Sequence, residues 1–138
     1  MSNPKPQILV VDDNMKNLQL LVNVLEENNY ETAVATNGQE ALNYFNEETA
    51  DVILLDIMMP EMNGYQVCDK LKENDKTKAI PIIFLTAKTD NESIVEGFKH
   101  GGVDYVTKPF NEAELMARVA TQANLKLAND ELFTSKQK

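Results

Sequence analysis

Residues 51–64 read DVILLDIMMPEMNG. The run Val52–Leu55 is wholly apolar and ends in one carboxylate, Asp56. Such a run suits a strand buried on both faces, as in a parallel sheet. Pro60, Asn63 and Gly64 are ordinary turn residues. From about Gly64 to Glu73, Val67, Cys68 and Leu71 recur at helical spacing. The same strand–helix unit appears on both sides of this stretch. QILVVD (7–12) leads into a helix over 14–28 with Leu18, Leu21, Val22 and Leu25 inward, ended at Asn28 and Asn29. ETAVAT (31–36) leads into a helix over 37–48 with Ala41, Leu42 and Phe45 inward. IPIIFLT (80–86), with Pro81 near its start, leads into a helix near 91–99 presenting Ile94, Val95 and Phe98. VDYV (103–106) leads into a helix opened by Asn111, with Glu112 and Glu114 in its first turn, that runs to at least Leu127. This strict alternation predicts an α/β fold, a doubly wound five-stranded parallel sheet with helices on both faces.

The length, 138 residues, fits one domain, expected over 1–127, with 128–138 a C-terminal tail or the start of a connector. With 43% hydrophobic and 25% charged residues the chain can bury a core and is not of the disordered class. The net charge of −9 argues against direct nucleic-acid binding and against attraction to anionic membranes. No apolar run approaches a membrane span, and MSNPKPQ is no signal peptide. One cysteine, Cys68, rules out an internal disulfide and a cysteine-cluster metal site, and its apolar helix face suggests a buried inert thiol. A cytoplasmic location is the expectation.

In doubly wound sheets, ligands bind beyond the carboxyl ends of the strands. The residues predicted there are Asp12 and Asp13, Asp56, Thr86, and Lys108 with Pro109. Taken singly, Asp12 and Asp13 read as helix caps, Asp56 and Thr86 as strand ends, and Lys108 as surface charge. Taken together, three carboxylates on one edge repel one another unless a cation neutralises them. Oxygen-only donors suit Mg²⁺, which takes few carboxylates and leaves room for a phosphate; Ca²⁺ would want a larger cage. A hydroxyl and an ammonium beside that site suit phosphoryl chemistry, with Asp56 as nucleophile and catalysis by positioning and charge. The metal would then bridge Asp13, Asp56 and a phosphoryl oxygen. The bond before Pro109 can be cis or trans, and a cis bond would turn Lys108 back into the site.

The motifs VVDDN, LLDIMMPEMNGYQVC, IIFLTA and GGVDYVTKPF, in this order and spacing, resemble the receiver domain of two-component response regulators over residues 7 to about 125. The resemblance implies a flavodoxin-like (βα)5 fold with strand order 2-1-3-4-5. It implies Asp56 as phospho-acceptor, with Asp12, Asp13, Asp56 and the Met58 carbonyl around Mg²⁺ (or Mn²⁺). Thr86 would be the switch hydroxyl, Lys108 the phosphate-contacting lysine and Tyr105 the switch aromatic. Met58 and Lys88 would flank the path of the attacking water. The donor would be a phosphohistidine on a sensor histidine kinase or a histidine phosphotransfer protein. The implied role is that of a signalling phosphoprotein, whose only chemistry is its own phosphotransfer and slow dephosphorylation. A homodimer could form through helix 4, strand 5 and helix 5, or through the C-terminal helix. His100 and Gly102 depart from the usual pattern, a small apolar residue and Ala, and His100 reads as a helix-end surface residue.

Two other classes compete. A phosphatase of the haloacid dehalogenase type also uses an Asp nucleophile, but needs a second Asp where this chain has Met58. A flavodoxin-like cofactor binder needs a small, polar phosphate loop after the first strand, where Asp12 and Asp13 would repel the phosphate.

Overall fold

The computed structural model describes residues 5–87 and 91–136, with side chains as far as Leu125. The chain alternates β1 (Gln7–Val11), α1 (Met15–Glu27), β2 (Glu31–Ala35), α2 (Gly38–Tyr44), β3 (Val52–Asp56), α3 (Gly64–Glu73), β4 (Ile82–Thr86), α4 (Asn91–Lys99), β5 (Asp104–Thr107) and α5 (Glu112–Lys136). The strands form one parallel sheet in the order β2-β1-β3-β4-β5. The expected doubly wound fold and its strand order are both observed.

β1, β3 and β4 occupy the centre and are apolar because both faces are covered. On one face Ile8, Val10, Leu54, Ile83 and Leu85 pack with Leu18, Leu21 and Leu25 of α1 and Leu115 and Val119 of α5. On the other, Leu9, Ile53, Leu55 and Phe84 pack with Ala41 of α2 and Val67, Cys68 and Leu71 of α3. Successive strand residues point to opposite faces, so the register of β3 against both neighbours fixes which side chains join which core.

Several local expectations needed correction. α2 is shorter than 37–48 and closes at Phe45, whose buried ring lies just past the helix. β5 begins and ends one residue later than 103–106, which brings Thr107 into line with Thr86. α5, in agreement with the expectation that it reaches at least Leu127, continues as one helix to Lys136. Val95 and Phe98, on the apolar face that α4 presents, are 49% and 46% exposed, and the buried residue of that helix is Gly97. The reason is Phe84, whose ring fills the space under α4: a Cβ on Gly97 would lie 3.0 Å from it. A Cβ on Gly102 would lie only 2.4 Å from the same ring, which accounts for Gly at a position where Ala is more usual.

Among the described residues no helix is long and apolar enough to cross a membrane.

Candidate functional site at the carboxyl edge of the sheet

Asp12 follows β1 directly, and its backbone N–H donates to Ala35 O of β2 at 3.2 Å. The carboxylate is fully buried. It does not cap α1 through the usual N3 contact; Asn14 does, accepting from Asn17 N. With the cap supplied by Asn14, Asp12 is held from the side: its Oδ1 accepts Asn14 N–H at 2.9 Å and its Oδ2 accepts from Asn17 Nδ2 at 3.4 Å. Asp13, next along, is exposed.

Asp56 is the last residue of β3 and 2% exposed. The loop after it is folded back tightly. Gly64 N–H donates to Ile57 O at 2.9 Å, and a Cβ on Gly64 would lie 2.5 Å from Asp56 O. Only glycine permits this approach of the loop to the strand end. Asn63 then starts α3 with a reciprocal capping box to Gln66. The turn residues read from the sequence thus keep their bland role, and that role is to hold Asp56 in place. Met58 N–H donates to Asp56 Oδ1 at 3.3 Å, and the Met58 side chain is exposed.

One oxygen from each of Asp12, Asp13 and Asp56 lies within 4.8 Å of the others. Lys108 reaches in from beyond β5, its Nζ 3.1 Å from Asp56 Oδ1 and 3.2 Å from Asp12 Oδ2. Lys108 N–H donates to Thr86 O at 2.8 Å, which ties the lysine backbone to the end of β4. The Lys108–Pro109 bond is cis. Thr86 is buried, and the β3–β4 register pairs Asp56 with Leu85, so Thr86 stands one residue beyond Asp56 on the adjacent strand.

The charges are unequal, three carboxylates against one ammonium. Burial raises the Asp56 carboxyl, the Asp12 charge raises it further, and Lys108 only partly offsets both, leaving it at about 6. Lys108 itself is pulled down by burial, but Asp56 and Asp12 outweigh that and hold it above the ordinary lysine value. An anionic, partly desolvated pocket with hard oxygen donors on one open side is a fitting seat for a small divalent cation.

Behind Thr86 lies a narrow cleft of about 10 Å³, lined among others by Thr86, Ile94, Gly97, Phe98 and Tyr105. Tyr105 is half-buried and stands three residues before Lys108. Lys88 lies outside the described residues.

All the strand-end residues singled out in the sequence converge on this edge. Two partnerships beyond the strand ends were missed. His100 is no plain surface residue: Nδ1 faces Asp69 Oδ1 at 2.5 Å, Nε2 faces Glu96 Oε1 at 2.9 Å, and the ring stacks on Tyr65. Arg118 meets Asp104 and the Tyr105 ring. Only the Glu96–His100 spacing, four apart on one helix, was available as a signal.

The chain matches the family described as response regulator receiver domain over residues 8–120. It is 40% identical to response regulator PleD of Caulobacter vibrioides (strain NA1000 / CB15N), over 91% of this chain and 28% of PleD. It is 42% identical to the DNA-binding response regulator MtrA of Mycolicibacterium smegmatis, over 95% of this chain and 55% of MtrA. The chain therefore spans about half, or less, of the length of these curated relatives. Among solved structures, the receiver domain of sensor histidine kinase PA1611 from Pseudomonas aeruginosa, described with a magnesium ion coordinated in its active-site cleft, aligns with a TM-score of 0.80. The two are 27% identical, with 87% of this chain and 98% of that one covered. Its sheet order, the residues at the strand ends and the match along most of its length agree: the chain belongs to the receiver-domain family of response regulators, which are signalling proteins rather than classical enzymes.

Proposed function

We propose that this chain accepts a phosphoryl group on Asp56 from the phosphohistidine of a sensor kinase or phosphotransfer protein, and changes its surface in response. The observation that carries this reading is the buried Asp56 carboxylate, with Asp12 and Asp13 oxygens within 4.8 Å and the Lys108 ammonium 3.1 Å away.

Asp12, Asp13 and Asp56, with the Met58 carbonyl, would hold Mg²⁺ or Mn²⁺; the donor set is hard, anionic and under-neutralised, and the magnesium described in the PA1611 receiver supports the assignment. A cation bound there supplies charge neutralisation for the transferring phosphoryl group. An Asp56 oxygen attacks phosphorus, an O–P bond forms as the P–N bond to the donor imidazole breaks, and the imidazole leaves with a proton. The rigid end of β3 keeps that oxygen in line, so the chain contributes mainly position and charge. Lys108, paired with Asp56 before the reaction, turns its ammonium to a phosphoryl oxygen once the carboxylate is phosphorylated. The Thr86 hydroxyl contacts another oxygen, and Tyr105 moves toward the space beside Thr86, biasing a two-state surface over α4, β5 and α5. Exposed Met58 flanks the approach to Asp56 and tunes the lifetime of the phosphoryl group. That same surface, or the C-terminal part of α5, serves a homodimer or an output partner. A cytoplasmic site of action fits a kinase-fed acceptor.

Incubation with Mg²⁺ and a small-molecule phosphodonor should add one phosphoryl group, and Asp56→Asn should abolish it. Labelling that persists in Asp56→Asn would move the acceptor elsewhere. Lys108→Ala should keep Mg²⁺ binding, since the carboxylates remain, while weakening the phosphorylation-dependent change; loss of the metal would overturn the assigned roles.

A further inference from the structure

Tyr105 is gripped by a set of contacts that phosphoryl transfer itself does not require. Asp104 Oδ1 accepts the Tyr105 backbone N–H at 2.9 Å. Both oxygens of the same carboxylate accept from Arg118 Nη1 of α5, at 2.8 and 2.9 Å. So held, the guanidinium carbon lies 5.4 Å from the centroid of the Tyr105 ring. Arg118 Nε is buried and, among the described residues, makes no hydrogen bond, its nearest carboxylate being Glu114 at 3.5 Å. The guanidinium is therefore oriented by Asp104 and the ring at the expense of one of its own donors. The ring also meets Phe98 of α4 edge-on, with centroids 6.5 Å apart.

We propose that Arg118, fixed by Asp104, is a positioning residue for Tyr105: it keeps the ring in the position seen here and opposes its movement toward Thr86. The second half of this statement rests on the acceptor-and-switch reading above. The physical basis is geometric. A change of χ1 well carries a tyrosine ring several ångströms. The attraction between a guanidinium and an aromatic face fades beyond about 6 Å. The guanidinium cannot follow, because Asp104 holds it through both carboxylate oxygens. Every reorientation of Tyr105 thus gives up this contact, and a chain without it should leave the present rotamer more readily.

The test uses the full chain, with Tyr105 χ1 populations read from three-bond couplings in tyrosine-labelled protein and assigned by Tyr105→Phe. Arg118→Met keeps the aliphatic stem and removes the charge. It should shift the rotamer ratio away from the present well roughly two- to fivefold, the factor expected of a partly exposed cation–π contact. By linkage, beryllofluoride with Mg²⁺, a phosphoryl mimic, should bind more tightly by up to the same factor. Asp104→Asn, which frees the guanidinium without removing it, should act in the same direction and more weakly. Unchanged χ1 populations in both folded variants would overturn the proposal. Shifted populations with unchanged beryllofluoride affinity would overturn the link to switching. A wild-type chain that binds no beryllofluoride would instead sink the acceptor reading, and the rotamer populations would still decide whether Arg118 positions Tyr105.

Discussion

Helix α1 buries Leu18, Leu21 and Leu25 in the core, whereas α4, with an apolar pattern of the same kind, buries only Gly97 and exposes Val95 and Phe98. α1 is anchored by side chains that fill the space over β1 and β3. α4 is attached by the fit of two glycines to the Phe84 ring and by polar ties to α3. Those ties are the Tyr65 hydroxyl to Ser93 O at 3.1 Å, the Cys68 thiol to His100 O at 3.1 Å, and the His100 imidazole between Asp69 and Glu96. Burial of apolar area is the larger stabilising force, while partly exposed ion pairs and single hydrogen bonds contribute little each. α1 is therefore part of the foundation, and α4, which borders the cleft behind Thr86, can shift without rebuilding the core.

The contrast can be broken most directly on the α1 side. Leu21→Ala removes a fully buried side chain and should cost about 3 kcal/mol of unfolding free energy in denaturant titration. A cost below about 1 kcal/mol would mean that α1 is no better anchored than α4. Next in size is Gly102→Ala, whose new Cβ would sit 2.4 Å from Phe84. Overpacking of this kind should cost about 2 kcal/mol, and less when measured in a Phe84→Leu background; equal costs in both backgrounds would remove Phe84 as the cause.

The third effect is smaller and depends on pH. A hydrogen bond to Asp69 is the main reason His100 titrates above its ordinary value of 6.5; burial works against it, and the Glu96 hydrogen bond and the charges of both carboxylates add to the rise. The folded chain thus holds that proton more tightly than the unfolded one. The contribution is complete below pH 6.5 and is lost as pH rises through the elevated folded value. Comparing wild type with His100→Gln from pH 5.5 to 8.5, a gap of up to about 1 kcal/mol should shrink toward alkaline pH. A gap that widens instead would show that the neutral imidazole is the form tying α4 to α3. Smallest of all should be Val95→Ser, within about 0.5 kcal/mol of wild type because the side chain is half exposed. A cost above 1.5 kcal/mol would show hidden anchorage on that face.

Much of the site was legible because its information is local. Asp12, Asp56, Thr86 and Lys108 each stand at or just past the end of an apolar run, and a parallel sheet puts such ends on one edge. Gly64 and Asn63 were legible as turn residues, though not as the brace that folds the loop onto Asp56 O. The helix at α4 was legible but its burial was not, because periodicity shows that a helix has an apolar face, not that the core has room for it. Phe84, an ordinary strand residue in the sequence, had already filled that room. His100 was misjudged for a related reason: its position at a helix end was read correctly, but Asp69 and Tyr65 come from another helix, more than thirty residues earlier.

The sequence by itself determined the β–α alternation, the buried centre of the sheet and the set of acidic, hydroxyl and basic residues at its carboxyl edge. These follow from periodicity and side-chain chemistry along the chain. Only the tertiary structure decided which helix faces meet the core, how Lys108 divides itself between Asp12 and Asp56, and that Arg118 lies against Tyr105. Those depend on volumes and distances between residues far apart in the chain. Close packing settles them one contact at a time, and no periodicity in the sequence encodes them.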